Sequence, residues 1–131
     1  MDREGLAEIA RRHGIRLVLR FGSTVAGRIH AGSDIDLGVL FDRMPPTWEE
    51  EAALLSDLQE LQQDREIDIA ILNRADPLFL KQVTQQCELL FGEPRDLYEL
   101  KIYAFKRYQD HRRYLPLEKK YVERVLAATV K

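Results

Sequence analysis

The sequence predicts an α/β (α+β) fold in which one mixed sheet is covered by helices. Apolar and polar residues alternate in two segments, 34–41 and 65–72, which is typical of half-buried strands. Segments with helical spacing of apolar residues lie before, between and after them. The 131 residues are 45% hydrophobic, which suits one folded domain with a core and argues against a disordered chain.

The first part of the chain is predicted to contain a helix and two strands. A helix over 3–13 ends at Gly14, and a strand over 15–21 (IRLVLRF) ends at the next glycine. Residues 23–30 could form one or two helical turns. The alternating segment 34–41 (DIDLGVLF) then forms the second strand, with its apolar residues on one face.

A helix and a third strand follow the loop at 44–46. The helix extends over 47–63, and Thr47 and Glu50 have the spacing of a capping box at its start. The alternating segment 65–72 (REIDIAIL) forms the strand, again with its isoleucines on one face.

The C-terminal part is predicted to be mostly helical. A helix over 76–86 begins with an Asp-Pro pair, in which Asp caps the helix and Pro occupies its first turn. A short strand over 88–91 (ELLF) follows. Two more helices, over 96–114 and 117–130, are separated by a break near Pro116.

The residues expected to perform chemistry lie in the stretch FGSTVAGRIHAGSDID, which begins at Phe21. Gly22 and Ser23 follow one predicted strand, and Asp34 and Asp36 begin the next. Residues i and i+2 of a strand point to the same face, so the two carboxylates project side by side. Carboxylates held that close repel each other. A divalent cation that prefers oxygen ligands, such as Mg²⁺, removes the conflict.

Asp68 is the candidate third acid. It lies in the alternating segment 65–72, on the face opposite Ile67 and Ile69. If this strand neighbours the strand that contains the Asp-x-Asp pair, the three carboxylates form the kind of cluster that two-metal phosphoryl or nucleotidyl transfer requires. Glu66 shares the face of Asp68 and is the competing third acid, although its position at the strand start favours a surface role.

Three small residues are candidates for phosphate binding. Gly22 has no side chain and allows the backbone to approach a phosphate closely. Ser23 offers a backbone N–H and a hydroxyl at a predicted helix start, which is a natural site for an anion. Ser33 either stabilises the turn before the second strand or contacts the nucleotide.

The spacing Gly-Ser, ten residues, Asp-x-Asp resembles the motif of the DNA polymerase β-like nucleotidyltransferase superfamily. The whole chain resembles the minimal nucleotidyltransferase (MNT) antitoxins, which are paired in prokaryotes with HEPN-domain ribonuclease toxins. The acid in EIDIAIL matches a later acidic strand of that family. The match of the tail, ELKIYAFKRYQDHRRYL, to the family's basic aromatic helix is less specific.

This resemblance implies an enzyme that transfers AMP from ATP to a tyrosine of the cognate HEPN toxin, with Mg²⁺ as the cofactor and two ions expected. It assigns Gly22 and Ser23 to the triphosphate, and it assigns Asp34, Asp36 and Asp68 to catalysis and to the metal. Two alternatives stay open: an antitoxin that acts by binding alone, and a nucleotidyltransferase for a small molecule.

The charge is distributed unequally along the chain. Residues 97–131 carry a net charge of +5 and residues 1–96 carry −7, for a total of −2. We predict a single domain over 1–131, with a catalytic core over about 1–92 and a basic, aromatic helical tail over about 96–131. The tail aromatics serve either the core or a partner interface. The positive charge is modest and no nucleic-acid-binding motif is present, so we do not expect nucleic acid as a direct ligand.

Composition also bears on location. One cysteine cannot form an internal disulfide, which favours a reduced compartment. We expect Cys87 to be a small core residue rather than a nucleophile. No apolar run approaches the roughly 20 residues that span a bilayer, and the charged N-terminus lacks the apolar segment of a secretory signal. We therefore expect a cytoplasmic protein that does not bind membranes.

Overall fold

The computed structural model describes residues 1–22, 35–43, 45–112 and 115–129. Within these ranges, helices and strands alternate along the chain much as predicted. The helical turns expected within 23–30 lie outside the described residues.

Five helices and four strands are present in the described ranges. The helices are α1 (Arg3–Arg12), α2 (Trp48–Leu61), α3 (Pro77–Gln85), α4 (Pro94–Arg112) and α5 (Leu115–Thr129). The strands are β1 (Ile15–Phe21), β2 (Ile35–Phe41), β3 (Ile67–Ile71) and β4 (Glu88–Phe91). None of the helices in the described part of the chain is both long and apolar enough to cross a bilayer.

Some boundaries differ from the predicted ones, and prolines explain two of the differences. Helix α4 begins at Pro94 rather than at residue 96, because the first helical position does not need the N–H that proline lacks. Helix α5 begins at Leu115, so Pro116 lies in its first turn instead of ending the preceding helix. Strand β3 is shorter than expected at both ends. Residues 65 and 66 precede it, and residues 72–74 form a 3-10 turn after it.

The sheet has the strand order β3-β2-β1-β4. Strand β1 is antiparallel to both β2 and β4, whereas β2 and β3 are parallel. A parallel pair needs a long crossover connection, and α2 provides it. The sheet is therefore mixed and covered by helices, which confirms the predicted α+β class.

The core divides into one cluster on each side of the sheet. Helices α1 and α2 cover the face that contains the alternating apolar residues of β2 and β3, including Ile35, Leu37, Val39, Ile67 and Ile71. Helices α3 and α4 cover the other face, where the buried residues include Leu17, Leu19, Leu72, Leu80 and Leu100. The polar positions of β2 and β3 therefore lie on the α3–α4 face of the sheet.

One side chain holds the connection between α2 and β3 in place. The Gln59 amide nitrogen donates hydrogen bonds to the carbonyls of Gln62 and Arg65, both at 2.7 Å. The Gln59 amide oxygen accepts from the backbone N–H of Ile67 at 3.0 Å. These three bonds fix the first residue of β3, immediately before Asp68.

We expect the Gln59→Ala variant to lose roughly 1–3 kcal/mol of unfolding free energy, because partly buried backbone groups lose their partners. Gln63→Ala is the matched control, because the Gln63 side chain is exposed and bonds only to the carbonyl of Glu60. Surface changes of this kind stay within about 0.5 kcal/mol. Urea unfolding followed by circular dichroism measures both variants. Equal losses would show that Gln59 does not hold the connection.

Candidate active site

Two aspartates of neighbouring strands lie directly opposite each other. The parallel register pairs Asp36 of β2 with Asp68 of β3. Both side chains leave the sheet on the face opposite Ile35 and Ile67, because side chains alternate along a strand. Neighbouring strands are about 4.8 Å apart, so the two carboxylates are close neighbours. Asp36 is half-buried and Asp68 is exposed, so the pair can be reached from solvent.

The register of this pair is set at the start of both strands. The backbone N–H of Ile35 donates to the carbonyl of Glu66 at 2.8 Å. Ile35 also pairs with Ile67, whose N–H is held by Gln59. A slip of one residue would move Asp68 to the core face and an isoleucine to the exposed face, so the buried apolar residues enforce the pairing of the acids.

The turn after β1 lies close to Asp36. Phe21 pairs with Asp36 across the antiparallel ladder, and Gly22 follows with a φ of 85°. A Cβ atom at Gly22 would overlap the carboxylate of Asp36. Glycine is therefore required here both for its left-handed backbone and for the close approach of the backbone to the acid.

The structure brings together Gly22, Asp36 and Asp68 of the residues predicted for the site. Ser23, Ser33 and Asp34 lie outside the described residues, and their roles stay predictions.

The paired carboxylates provide the oxygen ligands that Mg²⁺ prefers. In the absence of a cation they repel each other, which favours binding of a positive ion between them. Within the described ranges, no group of three His, Cys, Asp or Glu side chains could hold a metal. Of the three predicted metal ligands, Asp36 and Asp68 are described, and Asp34 lies outside the described residues.

Helix α3 connects this part of the sheet to α4. The ring of Phe79 packs edge-to-face against Phe21, with 5.8 Å between the centroids. Two residues further along α3, the Lys81 ammonium lies 4.5 Å from the ring centroid of Tyr108 on α4. Sequence reasoning missed Phe79 and Gln59 as positioning residues. No local pattern identifies Phe79, because its partner Phe21 is distant in the sequence. The bonds of Gln59 reach residues three to eight positions away and depend on the conformation of the connection before β3.

Cys87 is not placed to act as a nucleophile. It is half-buried against the core cluster under α3 and α4, and its sulfur lies 3.7 Å from the carbonyl oxygen of Thr84. Burial raises the pKa of the Cys87 thiol, so the unreactive protonated form is favoured at neutral pH.

Comparison with known families supports the chemistry that the paired acids indicate. The family model described as polymerase beta, nucleotidyltransferase matches residues 4–96. The chain belongs to this nucleotidyltransferase family. The match includes Gly22, Asp36 and Asp68. No curated protein shows significant sequence similarity to the chain.

Several solved structures share the fold of this nucleotidyltransferase. A toxin–antitoxin structure with AMP-PNP has a TM-score of 0.77 and 22% identity, and the match covers 93% of this chain and 99% of that chain. An MNT antitoxin in complex with the tri-AMPylated HEPN toxin of Shewanella oneidensis has a TM-score of 0.70 and 20% identity, with 92% and 95% covered. Spectinomycin adenyltransferase from Enterococcus faecialis has a TM-score of 0.56 and 17% identity, with 74% and 57% covered.

Gly22 and Gly14 allow the close approach to Asp36 to be tested. Both have positive φ, but a Cβ at Gly14 would meet nothing within 4 Å. Alanine at either position should cost roughly 1–2 kcal/mol of unfolding free energy from backbone strain. Only Gly22→Ala should also displace the Asp36 carboxylate and weaken the rise in melting temperature that Mn²⁺ produces. Equal responses of the two variants to Mn²⁺ would contradict the contact.

Asp68 and Glu66 provide a second matched pair. Both are exposed acids, one within β3 and one just before it. Asp68→Asn should reduce the stabilisation by Mn²⁺ without lowering the unfolding free energy in metal-free buffer, because it removes a repulsion. Glu66→Gln should behave like the wild type in a thermal shift titration with Mn²⁺. The reverse pattern would identify Glu66 as the metal ligand.

Proposed function

We propose that this chain is an antitoxin that transfers AMP from ATP to a tyrosine of its cognate HEPN-domain ribonuclease toxin and thereby silences it. The observation that carries the proposal is the in-register pair Asp36–Asp68 beside Gly22, on the fold of the polymerase β nucleotidyltransferase family. Mg²⁺ bound at these carboxylates would act as a Lewis acid on the phosphate and lower the pKa of the attacking hydroxyl.

The chain's own residues divide the work of this transfer. Asp34, Asp36 and Asp68 would hold two Mg²⁺ ions, and Gly22, Ser23 and Ser33 would hold the triphosphate of ATP. Asp68 is the exposed member of the described pair, so it is the acid that a tyrosine hydroxyl can approach.

The transfer is a single nucleophilic substitution at the α-phosphorus of ATP. The tyrosine oxygen forms a bond to the α-phosphorus while the bond between the α-phosphorus and the bridging oxygen breaks. Pyrophosphate leaves, and the hydroxyl proton passes to the carboxylate of Asp68. The product is a tyrosine that carries AMP through a phosphodiester bond.

The lengths of the matched structures favour a protein acceptor over a small molecule. The match covers 99% of the AMP-PNP-bound toxin–antitoxin relative's chain but only 57% of the spectinomycin adenyltransferase chain. The chain therefore matches nearly the whole length of the toxin–antitoxin relative and little more than half of the adenyltransferase. We assign the catalytic core to residues 1–92 and the binding of the toxin to the tail over 96–131.

Intact mass spectrometry tests this function directly. The purified chain is incubated with ATP, Mg²⁺ and the HEPN-domain protein encoded beside it. We expect the toxin to gain the mass of one or more AMP units, and fragmentation to place them on tyrosine. The Asp36→Asn/Asp68→Asn double variant should add none, because the metal and the proton acceptor are both lost. Glu66→Gln should act like the wild type.

A different result separates the alternatives. If the toxin keeps its mass but still forms a complex and loses its ribonuclease activity, the catalytic proposal fails and the antitoxin acts by binding alone. If the double variant still modifies the toxin, the chemistry does not depend on the paired acids.

A further inference from the structure

Helix α4 has apolar residues on its solvent side. Leu100 and Ala104 are buried against the sheet, as expected for the inner face of the helix. Tyr98, Ile102 and Phe105, spaced four and three residues apart, form a second stripe on the outer face. They are 65%, 39% and 55% exposed. A helix with apolar stripes on both faces is typical of one that packs on two sides.

Helix α5 is exposed around its whole circumference in its second half. Every side chain from Lys120 to Ala127 is exposed. Tyr121, Val122 and Leu126 lie on one side of this segment and are 67%, 52% and 58% exposed. Helices of about this length are only marginally stable in water without tertiary packing. A surface that covers the apolar side of α5 would therefore stabilise the helix.

The charges around these residues limit what can cover them. The stripe on α4 is bordered by the exposed Lys101 and Lys106, and residues 97–131 carry a net charge of +5. Two copies that met symmetrically through this face would bring like charges together. Head-to-tail pairing onto the acidic 1–96 part of another copy is heterologous and closes only when its rotation generates a ring. An acidic surface on a different protein complements the positive charge of the tail without these constraints.

We propose that Tyr98, Ile102, Phe105, Tyr121, Val122 and Leu126 form a docking surface, here called the tail surface. Its occupant is the toxin of the proposed function, which would present an apolar patch bordered by acidic side chains. This inference rests on the proposed function for the identity of the partner. Tyrosine is among the residues that anchor protein interfaces most strongly, and it contributes two members of the surface.

The contacts of α3 and α4 place the α4 part of the tail surface in the same structural unit as the acids. Tyr108 of α4 contacts Lys81 of α3, and Phe79 of α3 contacts Phe21 beside Asp36. A toxin bound to α4 therefore docks on a helix that is packed against α3. Helix α3 in turn contacts the end of β1, where Phe21 pairs with Asp36.

Calorimetry with the purified toxin tests the tail surface. Tyr98→Ser/Phe105→Ser and Tyr121→Ser/Leu126→Ser should each weaken the dissociation constant by at least about tenfold. All four side chains are exposed, so the variants should unfold at the same temperature as the wild type. Trp48→Ser is the matched control, because it removes an aromatic that is 85% exposed on α2 and should leave the affinity unchanged.

The charged border gives an independent readout. Lys101→Glu/Lys106→Glu should slow association and flatten its dependence on salt, because complementary charge acts mainly on the association rate. Unchanged affinity in both aromatic variants, or an equal loss with Trp48→Ser, would overturn the tail surface. These outcomes test the tail surface whether or not the wild type transfers AMP.

Failure of the docking proposal is distinguishable from failure of the proposed function. A wild type that binds the toxin through the tail surface but adds no AMP contradicts only the transfer.

Other occupants of the tail surface would give different results. A dimer of the chain alone in light scattering that Tyr98→Ser/Phe105→Ser dissociates would assign the surface to a second copy. RNA binding at physiological salt that Lys101→Glu/Lys106→Glu abolishes would assign it to nucleic acid. Either result overturns the proposal.

Discussion

The pairing of Asp36 with Asp68 is the constraint on which the rest of the site depends. Two carboxylates side by side are electrostatically unfavourable without a cation. The fold holds them together through the opposite face of the same strands, where Ile35 faces Ile67 and Val39 faces Ile71 in the buried core. Burial of one such side chain contributes about 1.5–3 kcal/mol. Several of them together outweigh the repulsion of one partly solvated pair, so hydrophobic register stabilises an arrangement that electrostatics opposes.

The two faces of the sheet therefore have different tasks. The face under α1 and α2 is apolar along β2 and β3 and determines their register. The face under α3 and α4 is apolar where the helices cover it and acidic where Asp36 and Asp68 emerge. Two residues fix the backbone around the acids. Gln59 fixes the residue before Asp68, and Gly22 lets the end of β1 contact Asp36. The acids are thus held by backbone that is itself fixed, which is the condition for a preorganised site.

Much of this arrangement follows from local sequence patterns. Alternation identified β2 and β3 and the face on which each acid lies, since a strand's period of two leaves no other choice. The Thr47–Glu50 capping box and the Asp-Pro start of α3 are both confirmed. The order of the strands, and with it the pairing of Asp36 with Asp68, was a condition that the sequence left open, because it depends on contacts between residues 32 positions apart. The role of Phe79 likewise depends on a long-range contact, with Phe21. The role of Gln59 depends instead on the conformation of the connection between α2 and β3, which no local pattern predicts. The sequence predicts the start of α4 at residue 96 rather than at Pro94, because a proline can begin a helix as well as precede one.

A small acidic site of this kind has little surface with which to select a protein substrate. In the proposed function Asp36 and Asp68 would bind a metal and accept a proton, but a carboxylate does not recognise a tyrosine in preference to any other hydroxyl. Selectivity must then come from binding elsewhere on the chain, and binding energy from remote contacts can be used to position the reacting group. The tail surface is suited to that task. Its residues are exposed and apolar, three of them are aromatic, and lysines border those on α4. Helix α4 is packed through α3 against the strand beside Asp36. In the proposed function, the same contacts that silence a toxin by binding also deliver its tyrosine to the acids. On this proposal, docking and chemistry are successive consequences of one interface.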